Sequence, residues 1–183
     1  IPLRLVGSEM CIRDRGYTPK EVELARIAAY MHDIGNVVNR HDHALSGATM
    51  AFRILDKMGM EPPDVAAVIT AIGHHDDSTA YPVTAIAAAL ILADKTDVRR
   101  SRVRNKDMST FDIHDRVNYS VERSEVLLDL PGRTVTLSLS INTEVCAVMD
   151  YFEIFLQRML LSRKAAETLD LKFRLEINGQ ILL

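Results

Sequence analysis

The stretch AAYMHDIGNVVNRHDHALSG, residues 28–47, sets His32 beside Asp33 at the end of an apolar run and holds three of the chain's six histidines. The signals upstream of it are those of a helix. Thr18 is a good N-cap, Pro19 suits the first helical position, and Glu21 stands three residues after the cap, completing a capping box. The spacing predicts a helix from about Pro19 to Asp33. Its apolar residues, Val22, Leu24, Ala25, Ile27, Ala28, Ala29 and Met31, cover most of the circumference, which places it among other helices rather than on a surface. His32 and Asp33 therefore arrive inside a core, and Gly35 closes the helix or turns the chain tightly. A single buried histidine is ordinarily a hydrogen-bonded core residue. A buried carboxylate beside it is costlier, by several kcal/mol unless the charge is paired or bound to a metal. No Lys or Arg shares that turn, so neighbouring helices must satisfy the pair. A divalent cation would satisfy several such groups at once.

Working outward, a second helix fits His43 to Met58, with Leu45, Ala48, Phe52, Leu55 and Met58 at three- and four-residue steps and Gly59 as its stop. A third runs from Pro62-Pro63 to His74-His75, and Pro82 opens a fourth that ends in a basic run. Successive helices with short polar links argue for a helical bundle over residues 16–110. A short helical piece follows around Asp112 to Val121, and then the texture changes. SEVLLDLPGRTVTLSLSI alternates with period two on either side of Pro131-Gly132, Thr143 to Asp170 is a long amphipathic helix, and Asn178-Gly179 marks a second hairpin turn. The expected fold class is mainly α: the bundle, then an α+β subdomain over 111–183. In that subdomain an antiparallel sheet and one long helix bury Val126, Leu128, Val135, Leu137 and Leu139 against Tyr151, Phe152, Phe155 and Leu156.

Composition fits a soluble globular chain of 183 residues, 48% hydrophobic and 26% charged. A net charge of −3 gives no general attraction to nucleic acid or anionic membrane. The exception is KTDVRRSRVRNK, Lys95 to Lys106, with six basic residues against one Asp. Cys11 and Cys146 are too few for a disulfide framework and suit a reducing, cytoplasmic setting. The longest apolar run, Val83 to Ala93, is shorter than the roughly 20 residues of a membrane span. The leader IPLRLVGSEMCIRDR has neither helical nor strand periodicity, and SEMCIRDR resembles translated sequencing-adapter sequence, so residues 1–15 are expected to be non-native. Met50, Met58 and Met60 read as core filler, Cys146 as a small hydrophobe in a helix, and YFEIFLQRMLL as a packed helix face with a homodimer surface as the alternative.

Five of the six histidines lie between positions 32 and 75, at helix ends or in adjoining loops. The ordered set of His32-Asp33, His43, His74-His75 and, in ILAD, Asp94 resembles the motif of the HD-domain metal-dependent phosphohydrolase superfamily, a helical bundle. The resemblance covers about Ala28 to Arg104. It implies that His32 and Asp33 are the motif's pair and that His43, His75 and Asp94 are further metal ligands, with His74 a ligand or its neighbour. The family also carries a first His on a helix upstream of the pair, and no histidine precedes His32. Either a foreign leader has replaced that helix, or the site is a single-metal or inactive variant.

The resemblance implies one or two divalent ions, of Mn, Fe, Co, Ni, Zn or Mg, which activate water and neutralise a phosphoryl oxygen. Asp33 would anchor the metal, and Asp76, directly after the His pair, is the candidate for moving protons. Lys95, Arg99 and Arg100 leave the site on the same segment, with Lys95 and Arg99 on one helical face, and are the candidate phosphate contacts. Arg102, Arg104 and Lys106 read as a solvated helix end. The partner is then a small phosphorylated substrate of the nucleotide kind, with nucleic acid disfavoured by the acidic balance. Two other readings stand beside hydrolysis: a non-catalytic metal- and nucleotide-binding regulatory module, and a dimerising helical protein whose histidines form a polar core.

Overall fold

The computed structural model describes residues 12–13, 16–77 and 79–182. Helix α1 spans Pro19–Met31 and starts as its sequence dictates. Thr18 Oγ1 accepts the Glu21 N–H at 3.2 Å and Glu21 Oε2 accepts the Thr18 N–H at 2.8 Å. Its buried residues lie on several sides, so α1 is sandwiched between α3 (Pro62–Gly73) and α4 (Ala85–Lys95). A 3₁₀ turn, Ile34–Val37, leads to α2, His43–Lys57, which packs on that turn and on α3. Of the leader expected to be non-native, only Ile12 and Arg13 are described, and Ile12 is wholly buried in the core.

Two expectations about these helices are corrected. The buried face of α2 is His43, Ala44, Gly47, Ala51 and Leu55, while Leu45, Phe52 and Met58 are 61%, 48% and 76% exposed. Small residues at 44, 47 and 51 let α2 approach its neighbours closely, and that contact outweighs the larger side chains on the opposite face. Met58 is accordingly not core filler. Helix α4 is shorter than expected, because Thr84 rather than Pro82 sets its start and accepts the Ala87 N–H at 3.1 Å. Beyond Lys95 the Thr96 hydroxyl bonds back to Leu92 O at 2.6 Å and the chain leaves the helix, so Arg99 does not share a helical face with Lys95.

After two further 3₁₀ turns, Arg100–Arg102 and Met108–Thr110, helix α5 (Ile113–Ser120) runs into strand β1 (Val121–Asp129). Strand β2 (Thr134–Ile141), helix α6 (Val148–Thr168), β3 (Lys172–Ile177) and β4 (Gln180–Ile181) complete the chain. The sheet order is β1-β2-β3-β4, but it is mixed rather than antiparallel throughout. The two hairpins are antiparallel, whereas β2 and β3 run parallel with Val135, Leu137 and Leu139 opposite Phe173, Leu175 and Ile177. A long helix between two paired strands carries the chain back to its starting edge, which makes the pair parallel. Asn178 and Gly179, both at positive φ, form the expected hairpin turn.

Helix α6 starts later than the amphipathic pattern suggests. Asn142 bends residues 143–147 into a turn by accepting the Glu144 N–H at 3.0 Å, which leaves Cys146 in that turn, still buried. One side of α6 buries Tyr151, Phe155 and Met159, and Leu156 lies 43% exposed instead of in the core. Val126 and Leu128, on edge strand β1, are half-buried. The helix packs on both β3 and α4, so the hydrophobic core runs unbroken from the bundle into the sheet. Among the described residues no helix is long and apolar enough to cross a membrane.

Candidate metal centre

Three imidazoles are oriented in the same way before any ligand is considered. His32 Nδ1 lies 2.8 Å from Ala29 O, His43 Nδ1 3.0 Å from Arg40 O, and His75 Nδ1 2.6 Å from Ile72 O. Each carbonyl sits three residues earlier, at a helix end or in the turn leading into one, where it accepts the ring N–H. That bond fixes the tautomer and turns the Nε2 lone pair inward. The three Nε2 atoms converge on Asp33. His32 Nε2 is 3.2 Å from Asp33 Oδ2, and His43 Nε2 and His75 Nε2 are 3.5 and 4.0 Å from Asp33 Oδ1. Asp94 closes the far side, with Oδ1 3.7 Å from His32 Nε2 and Oδ2 held by Lys95 Nζ at 2.8 Å.

Backbone contact brings these elements together. A Cβ on Gly35 would collide with His43 O and lie 2.6 Å from Gly47 N, so only glycine lets the turn after His32-Asp33 seat on the start of α2. That seat sets His43 against His32.

The donor set fits a divalent cation. His43 and His75 place their Nε2 atoms 3.2 Å apart, and with both Nδ1 protons committed to carbonyls two lone pairs face each other. A first-row ion lies about 2.1 Å from each imidazole nitrogen it binds, so one ion can reach both. Nε2 of His32, Nε2 of His75 and a carboxylate oxygen of Asp33 lie within 4.8 Å of one another, and this group can hold a metal. His75 is 1% exposed, and burial, opposed by its bond to Ile72 O, pulls its pKa down to about 4, which keeps the ring in the neutral form a metal needs. A cavity of about 20 Å³ lies among Asp33, His43, His75 and Asp94, room for one water-sized particle.

The remaining candidates are distributed unevenly. His74 is half-buried, binds Thr70 O through Nδ1 at 2.9 Å, and does not line the central cavity. Asp76 lines it, with Oδ1 3.8 Å from His43 Nδ1. Lys95 is buried between Asp94 and Asp77, the latter at 2.9 Å. Arg99 pairs with Asp97 at 2.8 Å on the wall of a polar cleft of about 870 Å³ that opens beside His32 and Asp33. Arg100 turns away: its Nε donates to Tyr119 O at 2.6 Å and its guanidinium lies over the Tyr119 ring. Arg102, read from sequence as part of a solvated helix end, lines both the cleft and the central cavity, and so does Arg40. Arg158, on α6, also lines the central cavity; nothing local in the sequence marks it, or the loop residue Arg40, as facing a site.

The family model of the HD domain matches residues 5–116, more than half of the chain and every residue of this centre except Arg158. The chain belongs to the HD-domain superfamily. HD domains bind divalent metals and are generally hydrolases of the metal-dependent phosphohydrolase kind, and among the described residues the His32, Asp33 and His75 cluster could hold an ion. Compared with curated proteins and with solved structures, the chain has no significant match.

Proposed function

We propose that this HD-domain protein is a metal-dependent phosphohydrolase, cleaving a phosphate ester or anhydride of a nucleotide or small phosphorylated metabolite with an activated water. The observation that carries the reading is the convergence of His43 and His75 Nε2 at 3.2 Å beside Asp33, with the outer nitrogen of each ring already committed. A divalent ion, when bound, supplies water of lowered pKa and screens charge on a phosphoryl oxygen. The chain's own residues do the rest. His32, Asp33, His43, His75 and Asp94 hold the ion, and Lys95 fixes the orientation of Asp94 by binding its other oxygen. Asp76 stands against the outer face of His43, where it can take up or pass on a proton.

The neighbouring cleft supports an anionic substrate. Arg40, Arg99, Arg102 and Arg104 line it against Asp33 and Asp97, so cations exceed carboxylates on its wall. Arginine forks match phosphate oxygens in pairs. Of the arginines suggested by the sequence, Arg99 suits this role and Arg100 serves the packing of α5. The test is phosphate release from a panel of nucleotides, sugar phosphates and phosphodiesters by protein supplied with Mn, Fe, Co, Zn or Mg. Metal-dependent release that disappears in Asp33→Ala is expected. Release from no member of the panel with any ion would overturn the reading.

A further inference from the structure

Helix α6 brings one residue into the metal centre from outside the segment matched to the HD domain. Arg158 lines the same central cavity as Asp33, His43, His75 and Asp94. It is held there from two sides. Its Nε bonds Asp77 Oδ2 at 3.2 Å, and its guanidinium lies 5.1 Å over the Phe155 ring. Asp77 in turn binds Lys95 at 2.9 Å through its other oxygen, and Lys95 binds Asp94 at 2.8 Å. The Nε side of the guanidinium is therefore tied, through Asp77 and the buried Lys95, to Asp94 of the metal centre. Its two terminal nitrogens carry no hydrogen bond or ion pair to the described residues. A guanidinium fixed at Nε and by stacking, with its outer N–H groups unspent on a residue that lines the cavity, is pre-organised for an oxyanion that accepts two parallel N–H bonds. The side chain is 23% exposed, so a ligand can reach it while much of its own hydration is already lost.

We infer that Arg158 is a phosphoryl-binding residue, through which the C-terminal α+β subdomain completes the active centre of the HD domain. The inference rests on the metallohydrolase reading and names the residue that grips the phosphoryl group there. Asp77 is then a positioning residue, and the packing of α6 on α4 sets the distance between the arginine and the metal ligands.

The test uses the full chain loaded with manganese, with inorganic phosphate as the probe and affinity measured by calorimetry. Arg158→Ala and Arg158→Gln are each expected to weaken phosphate binding by about tenfold or more while metal content and melting temperature stay at the parent's values. Arg158→Lys, which keeps the charge but not the fork, should fall between. Added guanidinium should restore part of the loss in Arg158→Ala, and Arg163→Ala, an exposed arginine on the same helix, should bind phosphate as the parent does. Phosphate affinity in Arg158→Ala within about twofold of the parent would overturn the inference, as would a loss of metal together with phosphate in both variants that guanidinium does not restore. A parent that binds metal but no phosphate would overturn the inference and leave the metal centre standing. A parent that takes up no metal would overturn the metallohydrolase reading, and this inference with it.

Discussion

His75 shows most directly how the fold tunes a single side chain. Burial lowers its pKa from 6.5 to about 4, so between those values the unfolded chain binds a proton that the native, metal-free chain does not. Stability is therefore fully present above about pH 6.5 and is lost as pH falls toward 4, by about 3 kcal/mol for the whole step. Urea denaturation of the metal-free protein at pH 7.5 and at about pH 4.5 should show that loss, and His75→Asn should reduce the difference. The same residue shows what a sequence can tell at this scale. The histidines at helix ends were legible because an imidazole inside an apolar bundle demands partners; His32 is buried as expected, whereas Asp33, expected in the core, is 40% exposed because the helix ends before it and the chain turns out toward the cleft. The motif resemblance already pointed to His75; what the sequence left open was His74, whose place outside the central cavity depends on how the last turn of α3 twists as the helix ends. Arg40 and Arg158 were invisible for the same reason: their side chains reach the cavity through tertiary packing, with no local pattern.

Among the elements, α2 and the 3₁₀ turn before it govern the centre. Gly35→Ala puts a methyl group against His43 O and Gly47 N, and overpacking of this kind costs about 1–3 kcal/mol. The substitution should lower the melting temperature and weaken metal uptake together, because the turn and His43 move as one. Helix α2 also supplies the clearest departure from pattern reading. Periodicity identified the helix and its ends, but its apolar stripe is split: Leu45, Phe52 and Met58 face outward, while Leu55 and Ala48 pack inward with Ala44, Gly47 and Ala51. Hydrophobic size alone does not choose the buried face when small residues opposite it allow backbones to approach. Phe52→Ser should accordingly change stability by less than about 1 kcal/mol, and Ala51→Leu should cost about 1–3 kcal/mol. Chemical denaturation of the two variants checks the assignment of the face, and a larger loss in Phe52→Ser than in Ala51→Leu would contradict it.

Over the whole molecule, α6 joins what the sequence divided. Composition and periodicity marked a bundle followed by an α+β piece, and both are present. The sequence could not show that α4 and the sheet share the same helix, nor that β2 and β3 pair in parallel, since both follow from contacts between distant segments. Phe155 is buried on the core face of α6, 2% exposed, and Phe155→Ala should cost about 3–5 kcal/mol. Its thermal unfolding should remain a single transition, lowered for helices and sheet alike; separate transitions would contradict the shared core. The candidate metal centre likewise draws on several elements, with its candidate ligands at the ends of α1 and α3, the start of α2 and the last turn of α4. Its most direct test is elemental analysis of metal per chain, on protein purified without a metal-binding tag, for the parent, Asp33→Ala and His43→Ala. The account predicts bound transition metal in the parent that both variants lose. A parent that holds no ion after incubation with manganese, iron and zinc, or variants that hold as much as the parent, would contradict it.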